Sequence, residues 1–439
     1  MSLQRVMAAL AERHPSEDRM VPDLERMTLL VDLLGNPQRA YPSIHLTGTN
    51  GKTSTARMVD ALLRSFGLRP GRYTSPHLHS PTERISIDGE PLTDERFAEV
   101  FDEVLPLVEL VDSRLPVPMT FFEVLTAMAF AAFADAPVDV AVLEVGLGGT
   151  WDATNVAQAA TAVVLPVGLD HVPLLGTTIA EIAAEKAGII HPGSTVVMSA
   201  QLPEAAAVLL RRAVEMGATV AREGLEFGVL DRRTAVGGQL LTLQGLAGTY
   251  DDVFLPLHGP HQAANAAAAL AAVEAFLGGS GGLSADAVRE GFAQANSPGR
   301  LEVLRTSPTV LVDAAHNPAG MAATVVALAD AFSFTTLVAV VACLADKDVR
   351  AMLEVLEPAV TSIVVTTSSS PRALPVDELR ELAVDVFGEE RVDVEDALDD
   401  AIDTAVRRGE EDGVHLGAGV LITGSVVTAG EARTLLRRH

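Results

Sequence analysis

SIHLTGTNGKTSTARMV, residues 43–59, runs from a short apolar strand through a glycine-rich turn into a helical segment. The usual nucleotide loop sets four residues between its first glycine and the Gly-Lys pair; here two separate Gly48 from Gly51. Backbone N–H groups from Thr49 through Asn50 to Thr53 can form an anion nest that runs into a helix N-terminus. Gly48 and Gly51 permit close approach, and Lys52 supplies a compact charge for β- and γ-phosphates. Thr53 or Ser54 brings a hydroxyl toward Mg²⁺. The bland reading, a strand-to-helix turn with a surface lysine, loses weight because the loop directly follows a buried-strand pattern. The guanine-reading Asn-Lys-x-Asp is absent, since Ala345-Asp346-Lys347-Asp348 lacks the asparagine, and this points to ATP.

Working outward, PVDVAVLEVG (137–146), TAVVLPVG (161–168) and STVVMSA (194–200) are further apolar strands with helical stretches beside them. Such alternation predicts a parallel sheet covered on both faces. Residues 225–257, broken by Gly, Asp and Thr, read as a hairpin-rich excursion. An alanine-rich helix is expected from about His261 to Phe276, then a flexible GGSGG at 278–282. After NSPGRLE (296–302), strands recur in TVLVDAAH (309–316), TTLVAVVA, TSIVVTTS (361–368) and GVLITGSV (419–426). This divides the chain into domains at 1–297 and 298–439, with a ligand crevice between them.

The 439 residues carry 32 Lys plus Arg against 58 Asp plus Glu, a net charge of −26. So acidic a surface repels polyanions and argues against a nucleic-acid partner. Anionic substrates must then be drawn in by a local positive cluster. Cys343 is the single cysteine, which excludes an intrachain disulfide and a thiolate metal cluster. The apolar run Met119 to Ala134 is interrupted by Glu123 and is short for a membrane span, so it reads as a buried helix. The beginning, MSLQRVMAALAERHPSEDRM, has acids and lacks a long apolar core, giving the expectation of a cytoplasmic protein; a monomer is expected separately.

Glu144 ends a predicted strand, where ligand sites of open α/β sheets gather, and a carboxylate there can hold Mg²⁺. His171, after another strand, is a turn cap, a metal ligand or a phosphate contact. Lys186, in TTIAEIAAEKAGIIHPG, begins on or beside the apolar face marked by Ile179, Ile182 and Ala183. Taken alone it reads as a snorkelling lysine at a helix end.

Ordered motifs then extend over nearly the whole chain: HLTGTNGKTST (45–55), YTSPHLHSPTERISIDG (73–89), TFFEVLTAMAF (120–130), EVGLGG (144–149) and DATN (152–155). LDHVPLLGTTIAEIAAEKAGII (169–190), HGPHQAANAAAAL (258–270), SPGRLE (297–302), DAAHNPAG (313–320), DKD (346–348) and TGS (423–425) complete the series. The chain thereby resembles the folylpolyglutamate and dihydrofolate synthase family of Mur-type ligases. TSPHL followed by ERI separates the folate branch from the cell-wall branch.

The resemblance implies an α/β fold: a Mur-ligase-like P-loop ATPase domain with a parallel-sheet core, plus a smaller Rossmann-like C-terminal domain on the glutamate side. It implies ATP and Mg²⁺, with activation of a folate or dihydropteroate carboxylate as an acyl phosphate that the amine of L-glutamate attacks. It assigns Mg²⁺ to Ser75, Glu144 and His171, and CO₂ carbamylation to Lys186, whose neutral amine would be favoured by desolvation. Asn265 contacts adenine or merely caps a helix. Arg300 reaches phosphates, Asp313 the ribose hydroxyls, and His316 faces the nucleotide. Phe121 or Phe122 packs on the pterin while the other serves the core. His77, Leu78, Glu83 and Arg84 enclose substrate, although Arg84 also suits an ion pair, and Asp152 joins the substrate contacts.

Three departures stand out: Thr150 in GGTWDATN replaces an expected arginine beside Glu144, His191 stands for a lysine, and DAAH replaces DGAH. Alternatives are a dihydrofolate synthase alone, a cell-wall ligase, or a non-catalytic nucleotide sensor that keeps Lys52.

Overall fold

The computed structural model describes residues 3–13, 21–278, 282–410 and 417–437. Residues 279–281 of the expected GGSGG linker lie outside these.

The strand Ser43–Thr47 is buried at all five positions, as is Val140–Glu144 beside it. Alternate side chains serve opposite faces. Ile44, Leu46, Val140 and Val142 enter one core, whereas Tyr73, Ala141 and Leu143 enter another. Continuous apolar sequence is what a strand buried on both sides requires. Among the described residues these strands belong to an eight-stranded sheet. Its order is Glu90–Pro91, Ile85–Ile87, Pro70–Tyr73, Val140–Glu144, Ser43–Thr47, Thr161–Val164, Thr195–Met198 and Thr219–Arg222. The six strands from Pro70–Tyr73 onward run parallel, and the first two are antiparallel additions.

Parallel order puts the carboxyl ends of Ser43–Thr47, Pro70–Tyr73, Val140–Glu144 and Thr161–Val164 along one edge. Four loops therefore converge there, carrying Lys52, Ser75, Glu144 and His171. The apolar run 119–134 forms the helix Phe121–Asp135, buried over most of its length and started by a Thr120–Glu123 capping box. No helix among the described residues is long and apolar enough to cross a membrane.

The predicted hairpin region is a three-stranded antiparallel sheet, Gly228–Ala235, Gly238–Gln244 and Thr249–Leu255. It shares a core with the helices Lys52–Ser65 and Pro260–Leu277. In the latter helix Ala263 and Ala266 to Ala269 are fully or almost fully buried. Side chains of one carbon let it lie close against the phosphate-loop helix and bring Asn265 to Gly51. From Glu302 a six-stranded sheet follows, ordered Glu302–Thr306, Thr309–Val312, Ala418–Thr423, Thr336–Val341, Ser362–Val365 and Val392–Val394. Only Glu302–Thr306 is antiparallel.

Ala267→Leu should force extra carbons into this contact and cost about 1–3 kcal/mol of stability. Urea unfolding with an unchanged midpoint would show that the helix contact has room to spare.

Candidate active site

The loop Gly48–Ser54 is pinned by its own backbone before any ligand is considered. Thr49 N donates to Pro166 O at 3.0 Å, and the Thr49 hydroxyl exchanges hydrogen bonds with the backbone of Gly168. A Cβ on Gly48 would lie 2.7 Å from Leu165 Cβ. Gly51 has φ +87°, and a Cβ there would lie 2.7 Å from Asn265 Oδ1. Neither position admits a larger side chain without local rearrangement.

Two ammonium groups meet at one carbonyl. Lys52 Nζ donates to Gly48 O at 2.9 Å and Thr49 O at 3.2 Å, while Lys186 Nζ donates to Gly48 O at 3.0 Å. Lys186 lies at the end of the helix Ile179–Lys186 and is only 4% exposed. A snorkelling lysine keeps its head in water; this one does not. Burial first, and the charge of Lys52 second, lower its pKa to about 7. Burial also lowers the pKa of Lys52, with Glu144 opposing the shift.

Glu144 is 1% exposed. Its carboxylate accepts from Thr53 Oγ1 at 2.9 and 3.0 Å and from Ser75 N at 3.1 Å. Burial raises its pKa, and Lys52 opposes that rise. Of the two loop hydroxyls, Thr53 therefore faces Glu144, whereas Ser54 pairs with Ser297 at 2.9 Å.

These groups line a cavity of about 180 Å³ with His171, Asn265, Arg300, Asp313 and His316. Asp313 already accepts from Leu301 N, Ala315 N and Thr324 Oγ1, each at 2.8–2.9 Å. A carboxylate has about four acceptor sites, so roughly one is left for a ligand hydroxyl. His316 Nδ1 lies 2.9 Å from Ala314 O. That contact requires hydrogen on Nδ1 and leaves Nε2 as an acceptor. Burial lowers the His316 pKa to about 4, so the ring is neutral.

A larger cavity of about 560 Å³ adjoins the first. Ser75, Pro76, Gly146, Leu147, His171 and His316 line both, so the two open onto each other there. Phe122, His77, Arg84, Trp151 and Asp152 line the larger one. Phe122 lies over Gly146 and 5.7 Å from the Tyr73 ring. Phe121 is instead buried in the core beneath Arg84, whose guanidinium carbon is 5.1 Å from its ring centroid. Arg84 donates to His77 Nδ1 at 2.9 Å, and no acid pairs with it within 4.0 Å among the described residues.

Several sequence assignments land elsewhere. Leu78 packs against Gly299 and Gly430, at the junction of the two sheet units, and does not line the large cavity. Glu83 folds back on its own loop, accepting from Leu78 N and His79 N, and with Leu78 lines a separate small cavity that Thr53 and Arg300 also face. Asp152 does line the larger cavity, where its oxygens accept from Leu147 N and Thr154 N. Thr150 does not stand beside Glu144. Its hydroxyl donates to Glu185 O at 3.0 Å, and it lines a separate surface cavity with His191 and Arg212. The turn before DATN directs this side chain away from the phosphates. Asp170, Trp151 and Lys347 were not singled out as site residues from sequence, although LDH and DKD contain two of them.

Residues 46–273 match the Mur ligase middle domain, and residues 299–426 match the Mur ligase glutamate ligase domain. A dihydrofolate synthase/folylpolyglutamate synthase of Mycobacterium tuberculosis is 53% identical, over 100% of this chain and 94% of its own length.

The chain belongs to the folylpolyglutamate and dihydrofolate synthase family of Mur-type ligases.

It is an ATP-dependent ligase of that family, whose activity joins glutamate to folate. The family's Bacillus subtilis member is 34% identical over 80% of this chain and 82% of its own. A solved structure of the M. tuberculosis folylpolyglutamate synthase complexed with ADP superimposes with a TM-score of 0.95 at 54% identity, covering 100% of this chain and 98% of that one. A Thermotoga maritima folylpolyglutamate synthase gives 0.86 at 32% identity, covering 99% and 96%. The α/β architecture expected from the motifs is therefore that of this ligase family.

The Lys186 pKa has a consequence for stability. Between pH 7 and 10.5 the unfolded chain keeps a proton on this lysine that the folded chain has lost, so stability rises with pH in that window. Below pH 7 the full penalty for burying the ammonium applies. Lys186→Met lacks this dependence. Its stability relative to the parent chain should fall by a few kcal/mol between pH 7 and pH 10, at about 1.4 kcal/mol per pKa unit. Paired urea titrations at both pH values would contradict this if the difference stays constant.

Proposed function

We propose that this chain adds L-glutamate to a folate carboxylate at the place where its two cavities meet. The single observation that carries the reading is this junction, with Ser75, His171 and His316 facing both spaces. The phosphate loop borders one side. The apolar wall with Phe122 and Trp151 borders the other, and suits a flat ring system.

The loop N–H groups and Lys52 hold the triphosphate of ATP, with Asn265 toward adenine and Arg300 toward phosphate. A folate carboxylate entering through the larger cavity meets the terminal phosphate near Ser75. Its oxygen attacks phosphorus, ADP leaves, and an acyl phosphate results. The neutral amine of glutamate then attacks the acyl carbon; phosphate departs with the C–O electron pair, the nitrogen loses a proton, and an amide remains. His316 Nε2 is an acceptor for that amine. The chain's net charge is −26, yet Lys52, Arg84 and Arg300 line the joined cavities and offer anionic substrates local cationic partners. In this division of labour the unit before residue 297 holds ATP and folate, and the unit after it presents glutamate.

Mg²⁺ fits the donor set, because Glu144, the hydroxyls of Thr53 and Ser75, and His171 line one cavity. One carboxylate plus substrate phosphates is a common way to hold this ion. Among the described residues there is no cluster of three or more His, Cys, Asp or Glu to hold a metal by protein alone, which accords with that sharing. Bound there, the ion would offset charge on the transferring phosphoryl group.

Lys186 is the carbamylated residue of this reading. With a pKa near 7 its neutral amine is well populated at neutral pH; it attacks CO₂, loses a proton and becomes an anion. Dihydropteroate is an additional acceptor, a reading supported by the paired activities in the name of the M. tuberculosis relative.

Lys52→Ala should keep its circular dichroism spectrum, bind MgATP more weakly and lose ligation by at least about a hundredfold. Unchanged turnover at saturating ATP and folate would remove Lys52 from the mechanism. A panel of dihydropteroate, dihydrofolate and tetrahydrofolate with labelled glutamate tests the substrate assignment, and no amide product from any of them overturns it.

Lys186→Ala should turn over poorly and recover in part with a small exogenous carboxylate, while Lys186→Arg should stay inactive because arginine cannot form this carbamate. The ¹³CO₂-treated enzyme should show a carbamate carbon signal that Lys186→Ala lacks. No difference between the two spectra would rule the modification out.

A further inference from the structure

Four side chains outside the phosphate contacts join the two sheet units at the cavity. Asp170 stands in the loop after the strand Thr161–Val164. Its Oδ1 accepts from Lys347 Nζ at 3.1 Å and from His171 N at 2.9 Å, and its Oδ2 accepts from Asn317 Nδ2 at 3.1 Å. Lys347 and Asn317 come from the second unit. Asn317 also exchanges amide hydrogen bonds with Asn50 of the phosphate loop, at 3.1 and 3.3 Å. Its Oδ1 caps the helix Pro318–Ala331 through Gly320 N at 2.7 Å.

We propose that the Asp170–Lys347 ion pair, with the Asn317–Asn50 exchange, is the latch that holds the second unit closed on the phosphate loop for ligation. All four are positioning residues. The inference rests on the ligation reading above.

The side chains of Lys347 and Asp170 are only 9% and 12% exposed. Water screens them poorly in the closed arrangement, so their attraction is strong there, whereas opening exchanges it for hydration of both charges. Interfaces between domains are ordinarily modest and permit relative motion, so a few directional contacts can set the populations. Place distinguishes this set from the other contacts between the units. Arg232–Asp330 and Arg433–His79 also cross between them, at 2.6 Å each, yet none of those four residues lines either cavity. Asp170 lines the phosphate cavity and Lys347 the larger one. Asn50 belongs to the loop itself, so a ligand ordering that loop favours closure and closure favours the ligand.

The test compares full-length Lys347→Met, Asp170→Asn, the double variant and Lys347→Arg in steady-state ligation. The same chains, labelled at Val214→Cys and Val326→Cys, report the distance between units with MgADP bound. Both valines are well exposed and the native Cys343 is buried.

Each single change should lower kcat by about tenfold and weaken MgADP binding by about fivefold or more, because closure and the ligand favour each other. The double variant should be no worse than Asp170→Asn alone, because both changes break the same ion pair and only Asp170→Asn also alters the Asn317 contact. Lys347→Arg should recover part of the loss, and Lys347→Met should broaden the distance distribution. Should Lys347→Met melt early, Asn317→Ser keeps a helix cap while removing the exchange with Asn50, and the same readouts apply. Multiplying losses in the double variant, or an unaltered distance distribution in MgADP, would overturn the latch. A parent chain that makes no amide product defeats the ligation reading instead, and the distance measurement still decides whether the latch exists.

Discussion

Everything at this site depends on the Gly48 carbonyl, which accepts from both Lys52 and Lys186. Two like charges at such separation repel strongly once water is scarce. Burial adds to the cost and lowers the pKa of both. Glu144, buried within the same cavity, favours the ammonium of Lys52. Burial and the charge of Lys52 bring the Lys186 pKa to about 7, so this amine is able to shed its proton.

Backbone economy makes that arrangement possible. A loop with two residues between its glycines leaves little slack, so its carbonyls lie within reach of side chains from both neighbours. Gly48 must pass Leu165 and Gly51 must pass Asn265, and a Cβ at either would collide. The alanine-rich helix completes the fit, since larger residues would hold Asn265 away from the turn. Glycine and alanine here set distances; the charged residues act across them.

Much of the fold was legible because its cause is local or periodic. Unbroken apolar runs predicted the buried strands, and the turn between strand and helix placed Lys52 at a helix start. The hairpin region read correctly as an antiparallel excursion because Gly, Asp and Thr interrupt its short strands. Helix limits shifted by about a residue: Pro260–Leu277 is observed where His261 to Phe276 was expected. Residue roles were less accessible. Adjacent phenylalanines look alike in sequence, yet a helix turns about 100° between neighbours, so Phe121 faces the core and Phe122 the cavity. Thr150 is close to Glu144 in sequence, but the intervening turn carries it to another surface.

By itself the sequence determined the layered parallel sheet, the anion-binding turn, the ordered motifs of a Mur-type ligase and the acidity that demands a local positive field. Each of these is written in neighbouring residues or in composition. Only tertiary structure decided that Lys186 is buried against Gly48, that two cavities join at Ser75, His171 and His316, and that Asp170 meets Lys347. The physical reason is distance along the chain. Asp170 and Lys347 are 177 residues apart, and Lys186 and Gly48 are 138 apart. Contacts between such distant segments exist only after both sheets have packed, when burial has changed the electrostatics that composition alone reports as an average.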